Sequence, residues 1–155
     1  MPFTRLHQLL EQQHVPYQTI RHRTAYSAQE TAAAAHVPGR ELAKVVMVRS
    51  GGAFVMLVVP APYRVDLERA KSAVGKSDLV LATEDEFTGL FPQCEAGAMP
   101  PFGNLYDLPV YVDQTLTRDE EIVFNAGTHT QTVKMKYADF ARLVQPKVVA
   151  VAATH

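Results

Sequence analysis

The chain has 155 residues, 47% of them hydrophobic and 20% charged, with a formal net charge of −1 and a single cysteine, Cys94. These numbers predict one globular domain over residues 1–155 with a core of ordinary size. They argue against a broad basic face for nucleic acid, DNA included, against an intrachain disulfide, and against a membrane-spanning helix, which needs roughly 20 apolar residues. The start carries no secretory pattern, and a lone thiol suits a reducing cytoplasm.

Along the chain, Thr4 to Gln13 places Leu6, Leu9 and Leu10 on one helical face, with Thr4 as the cap. Val15 to Ile20 alternates like a strand. Ser27 and Glu30 have the spacing of a capping box, so the alanine-rich stretch to His36 predicts a second helix, stopped near Pro38-Gly39. Two strand-like runs, Leu42 to Arg49 and Ala53 to Val59, flank Ser50-Gly51-Gly52, a hairpin signal. Asp66 to Val74 reads as a helix capped by Asp66 and closed by Gly75. Leu79 to Leu81 reads as a short strand, and Thr83 with Glu86 opens a further helix. Four prolines and two glycines between Pro92 and Pro109 predict an ordered loop. Strands at Val110–Val112, Glu121–Asn125 and Thr130–Met135, then a helix over Tyr137–Leu143, complete the pattern. The fold class expected is α/β (α+β), with a mixed, partly antiparallel sheet flanked by helices.

Three segments could carry chemistry. Lys44 sits in the apolar run Leu42-Ala43-Lys44-Val45-Val46-Met47-Val48 and shares its strand face with Leu42, Val46 and Val48. Such a lysine is either an edge-strand charge against aggregation or a fixed ammonium for a phosphate or an ester carbonyl. Gly97-Ala98-Met99-Pro100-Pro101 is either a stiff turn or a loop that presents backbone N–H and C=O groups to a ligand. His129, in Asn125-Ala126-Gly127-Thr128-His129-Thr130, is either a solvated turn residue or a hydrogen-bond donor and proton-transfer group.

Other chemistries lack their residues. His7, His14, His22, His36 and His155 show no ligand-like spacing, and with one cysteine no metal site is expected. No Gly-x-Ser-x-Gly elbow, P-loop or Gly-x-Gly-x-x-Gly is present, so neither a serine nucleophile nor a nucleotide cofactor is expected. Cys94 has no histidine near it in sequence and reads as a packed thiol. Glu84-Asp85-Glu86 reads as the acidic first turn of a helix. Arg21-His22-Arg23 is either surface charge or a contact for a phosphate backbone.

In order and spacing, the lysine strand, the Gly97–Pro101 loop with Phe102-Gly103, Pro109-Val110-Tyr111-Val112-Asp113, Phe124 to His129 and Tyr137-Ala138-Asp139-Phe140 resemble a known family. It comprises the YbaK-type proteins and the editing domains of bacterial prolyl-tRNA synthetases. The resemblance runs from roughly Tyr17 to Leu143 and implies metal-independent hydrolysis of mischarged aminoacyl-tRNA by a free-standing deacylase. It implies that Lys44 meets the 3′-terminal nucleotide and the substrate. The backbone of Gly97, Ala98, Met99, Pro100 and Pro101 would hold the aminoacyl ester. His129, beside Gly127 and Thr128, matches a histidine of the members that act on alanyl-tRNA. Tyr26, Met47 and Met99 are candidates for setting pocket size, and His22 for a phosphate contact. The expected partner is the acceptor end of aminoacyl-tRNA, with an aminoacyl-tRNA synthetase as a second. A non-catalytic module that binds an amino acid or a synthetase is the alternative, as is an enzyme for another acyl ester. Which amino acid is cleared is left open.

Overall fold

The computed structural model describes residues 5–153. Helix α1 (Arg5–Gln12) buries Leu6 and Leu10, as its spacing predicts; the expected cap, Thr4, lies outside the described residues. Strand β1 (Tyr17–Arg21) follows. Helix α2 (Ala28–Ala35) is capped by the Ser27 hydroxyl, which accepts from the Glu30 N–H. His36, in the left-handed region at φ 59°, closes it.

Strands β2 (Ala43–Ser50) and β3 (Ala53–Pro60) form the expected hairpin, in register from Ala43↔Pro60 to Ser50↔Ala53. Gly51 turns it at φ +59°, an angle that L side chains resist. After β4 (Arg64–Val65) comes α3 (Leu67–Val74), capped by the Asp66 carboxylate on the Arg69 N–H and closed by Gly75 at φ 79°. Strand β5 (Val80–Leu81) then leads into α4 (Glu84–Phe87), where Thr83 and Glu86 form a complete capping box. The stretch from Pro92 to Pro109 is loop apart from a 3-10 turn at Gly103–Tyr106. Strands β6 (Val110–Asp113), β7 (Glu121–Thr128) and β8 (Gln131–Lys136), helix α5 (Tyr137–Val144), and strands β9 (Lys147–Val149) and β10 (Ala152–Ala153) complete the chain.

The strands assemble as a five-stranded sheet β5-β2-β3-β6-β9, a three-stranded sheet β1-β8-β7 and a ribbon of β10 with β4. In the larger sheet β5, β2 and β3 run antiparallel while β3, β6 and β9 run parallel, so it is mixed, as expected. β2 is thus flanked by β3 along its length and by β5 at Val48 and Arg49, while at its start the neighbouring residue Leu42 bridges to Val123. Alternation along β2 divides the core. Ala43, Val45 and Met47 pack with Met99, Phe102, Phe124 and Phe140, whereas Val46 and Val48 pack with Leu57, Val59, Leu79 and Val151. A parallel bridge between Leu42 and Val123 joins the two larger sheets, and these residues share a small cluster with Ala32 of α2 and Ala61.

Strands β4, β9 and β10 were not expected. They are two or three residues long, too short for a period to register. Asp113 ties the C-terminal strands to β6. Its buried carboxylate accepts from the N–H groups of Val151 and Ala152, both at 2.9 Å, and from the backbone and hydroxyl of Thr115.

Candidate active site

The Gly97 loop and the β7–β8 turn are sewn together by their backbones. Glu95 N–H donates to Gly127 O at 2.8 Å, and Gly127 N–H donates to Ala98 O at 2.9 Å. From the turn, His129 N–H donates to Glu95 Oε1 at 2.8 Å, and His129 Nε2 lies 2.8 Å from Ala96 O. A carbonyl can only accept, so Nε2 is the donor, which leaves Nδ1 as the ring nitrogen for another partner.

A register irregularity between Asn125 and Thr128, with Gly127 at φ 98°, swings the strand end toward the loop; a bulge is the usual device for re-aiming a side chain. His129 is therefore only 8% exposed, which overturns its reading as a solvated turn residue. Tyr26, 74% exposed, lays its ring on it with centroids 4.8 Å apart. A large aromatic in water over a buried histidine is a ready wall for a ligand.

Gly97 is exposed, at φ +82°. A Cβ there would stand 3.7 Å from His129 Cε1 and 3.8 Å from Glu84 Oε1, ordinary contacts. The backbone angle, not crowding, is what calls for glycine. The loop's supply of donors is small: Pro100 and Pro101 have no N–H, and that of Ala98 is bonded to Glu95 O. This leaves Gly97 and Met99, and of these Met99 is buried. Gly97 is thus the exposed residue of the loop that carries an N–H.

Lys44 lies on the other side of β2 from Met47. Its ammonium donates to Ala61 O at 3.1 Å, which leaves two N–H donors for another acceptor. Burial lowers its pKa from the ordinary lysine value. Two residues beyond the Leu42–Val123 bridge on each chain come Lys44 and Asn125. Val123 and Asn125 alternate onto one face of β7, and the register irregularity follows directly after Asn125. The side-chain carbonyl of Asn125 is buried without a hydrogen-bond partner.

Over residues 22–143 the sequence matches the aminoacyl-tRNA editing domain family. The chain belongs to that family. The match spans every candidate residue above. The multifunctional Ser/Thr-tRNA deacylase ProXp-y of Escherichia coli is 36% identical over 99 residues, which cover 61% of this chain and 57% of that protein. The chain thus spans somewhat over half the length of this curated relative. Among solved structures, hypothetical protein APE2540 superposes with a TM-score of 0.86 at 17% identity, over 97% of this chain and 100% of that one. A protein proposed as a trans-editing enzyme for prolyl-tRNA synthetase does so at 0.81 and 24%, over 96% and 95%. At such identities these structures speak for the fold alone, and they agree with the mixed α/β arrangement found here.

The remaining candidates occupy different surroundings. Met47 and Met99 lie in the main core, 3% and 4% exposed, with Ala126. Pro100 and Pro101 are buried. His22 is half-buried beside the β8 end, its N–H on Thr130 O and its Nδ1 2.7 Å from Arg23 O, with Nε2 buried and unpartnered. Thr128 Oγ1 approaches the Thr130 hydroxyl at 3.4 Å. Cys94 is half-buried, 3.6 Å from the Tyr106 hydroxyl, and burial raises its pKa, so the thiol stays protonated. Glu95, Glu84 and Asn125 were not singled out as site residues. Only their contacts mark them, and no sequence spacing does. Among the described residues, no group of three His, Cys, Asp or Glu side chains could hold a metal. No helix among them is long and apolar enough to cross a membrane.

Proposed function

We propose that this chain is a metal-independent aminoacyl-tRNA deacylase that hydrolyses the ester of mischarged tRNA in trans. The observation that carries the reading is the Gly97 loop clamped on the His129 turn, in a chain of the editing family. An aminoacyl ester is already activated, so hydrolysis needs an oriented water and a donor for the developing oxyanion rather than a strong nucleophile. In this reading the Gly97 N–H meets the oxyanion, and such a donor is worth about 10²–10³ in rate. His129 Nδ1 accepts a proton of the attacking water, or of the terminal ribose hydroxyl that orients it. The two remaining Lys44 donors hold the terminal nucleotide and the substrate. Asn125 accepts from the aminoacyl group's ammonium. Tyr26 forms the outer wall.

The net charge of −1 suits this reading, because only the acceptor end need be held. ProXp-y is described as acting on Ser- and Thr-tRNA, which makes small hydroxyl-bearing amino acids the first substrates to try. A hydrophobic pocket distinguishes one methylene by only about 1–3 kcal/mol, so the test is a panel of mischarged tRNAs, with release of amino acid as the readout. Tight binding of tRNA without release from any of them would contradict the reading and favour the non-catalytic module. A synthetase that delivers the tRNA belongs to the same proposal and is tested by co-purification.

A further inference from the structure

Beyond the Lys44 end of the site lies a hollow of about 260 Å³ lined by Arg40, Pro60, Tyr63, Thr115, Arg118 and Asp119. Three short segments build it: the 3-10 turn Gly39–Glu41, the end of β3, and the 3-10 turn Gln114–Arg118. Pro60 pairs with Ala43, the residue before Lys44, and precedes Ala61, whose carbonyl takes the Lys44 ammonium, so the hollow and the ammonium share this end of the β2–β3 hairpin.

Its chemistry is of three kinds. Arg40 and Arg118 are exposed guanidiniums, suited to a phosphate because they donate in a planar fork. Tyr63 offers a half-buried ring with a polar end. Asp119 brings a carboxylate oxygen, Oδ2, that is buried and has no hydrogen-bond partner. Burial and the nearby Glu41 raise the pKa of this group, with Arg40 opposing them. The wider hollow beside α3 lacks this combination. Its Glu68 and Arg69 are engaged locally, by Lys71 at 2.9 Å and by Asp66 at 3.7 Å.

We infer that the hollow beside Lys44 is the subsite for the nucleotide that precedes the aminoacylated one, the cytosine before the terminal adenosine of tRNA. Arg40 and Arg118 take its phosphate, Tyr63 packs on the ribose or base, and Asp119 Oδ2 accepts from the cytosine N4 amine. A carboxylate reading N4 is the pairing that distinguishes cytosine from uracil. The inference rests on the proposed reading of the site, and it explains how a chain of net charge −1 grips RNA at its end.

Binding of an uncharged acceptor minihelix with a single-stranded CCA end, followed by fluorescence anisotropy over a range of salt, tests this apart from catalysis. Arg40→Ala and Arg118→Ala change exposed side chains. Each should weaken binding and flatten the log–log salt dependence, and the double variant should flatten it by about 0.7, the value for one phosphate contact on a single strand. Replacing that cytosine by uracil should weaken wild-type binding at least about fivefold, a difference that Asp119→Ala abolishes. With aminoacyl-adenosine as substrate, which lacks this nucleotide, the arginine variants should cleave at the wild-type rate. Unchanged salt slopes together with indifference to uracil would overturn the subsite, even if the protein deacylates tRNA. Arginine- and cytosine-dependent binding by a protein that hydrolyses no ester would keep the subsite and remove the proposed activity. Absence of any binding would remove both.

Discussion

Replacing Gly97 separates backbone angle from crowding as the reason for a glycine beside the reacting ester. At φ +82°, with the nearest atoms 3.7 and 3.8 Å from a built Cβ, alanine fits the space but not the dihedral. The left-handed region costs an L residue about 1–2 kcal/mol. If the fold absorbs the strain in place, Gly97→Ala lowers Tm by about 2–8 °C, at the 2–4 °C per kcal/mol expected for a chain of this size. If the loop relaxes instead, the φ change turns the Gly97 N–H and disturbs the carbonyls of Ala96 and Ala98, which hold His129 and Gly127. Deacylation then falls by about 10²-fold, the loss of one oxyanion donor, while Tm barely moves. Either way Gly97→Asn should stand between alanine and wild type, because asparagine tolerates this region better. Thermal unfolding and single-turnover release of amino acid, run on the same three proteins, give both numbers. Wild-type rate and Tm in Gly97→Ala would refute the reasoning, as would an asparagine variant no better than alanine.

Removing the acceptor for the His129 N–H, by Glu95→Ala, leaves a buried donor unpaired. It should cost about 1–3 kcal/mol in urea unfolding and lower deacylation, whereas Glu95→Gln retains an acceptor and most of both. Asn125→Ala should raise KM for the aminoacyl substrate by about tenfold or more, with little change in Tm, since its buried carbonyl has no partner in the chain to lose. Asp113 sets a pH limit on stability. Burial pushes its pKa up, but hydrogen bonds from the Thr115 hydroxyl and from the amides of Val151, Ala152 and Thr115 outweigh burial and hold it below the usual value. A depressed pKa in the folded state stabilises above the unfolded value of about 3.9 and is lost as pH falls below it. Urea midpoints should therefore fall between about pH 4 and 2 in the wild type, and less steeply in Asp113→Asn.

Much of this arrangement is legible where chemistry is local. Caps at Ser27, Asp66 and Thr83, the Gly75 stop and the Gly51 hairpin follow from residues a few positions apart. Alternation put Lys44 on the face of Val46 and Val48, and the structure agrees. The same alternation puts Met47, a candidate for setting pocket size, on the opposite face, where it lies in the main core. The hidden features are those made by distant segments. Glu95 meets His129 across 34 positions and Asp113 meets Val151 across 38, and no pattern within either segment announces the other. His129 looked like a solvated turn residue because its burial comes from the loop folded over it and from the Tyr26 ring, not from its own neighbours. The partner of β2 on its other side, β5, is two residues long and pairs only with Val48 and Arg49, too little to register in the sequence.

The central claim is hydrolysis of an aminoacyl ester by a site that Lys44 anchors. Its most direct test is release of radiolabelled amino acid from a panel of mischarged tRNAs, by the wild-type protein and by Lys44→Ala, with Tm measured on both. The account predicts release from at least one of the mischarged tRNAs, and a fall of about 10²-fold or more in the variant with its fold intact. Release from none of them, or an equal rate in Lys44→Ala, would contradict it.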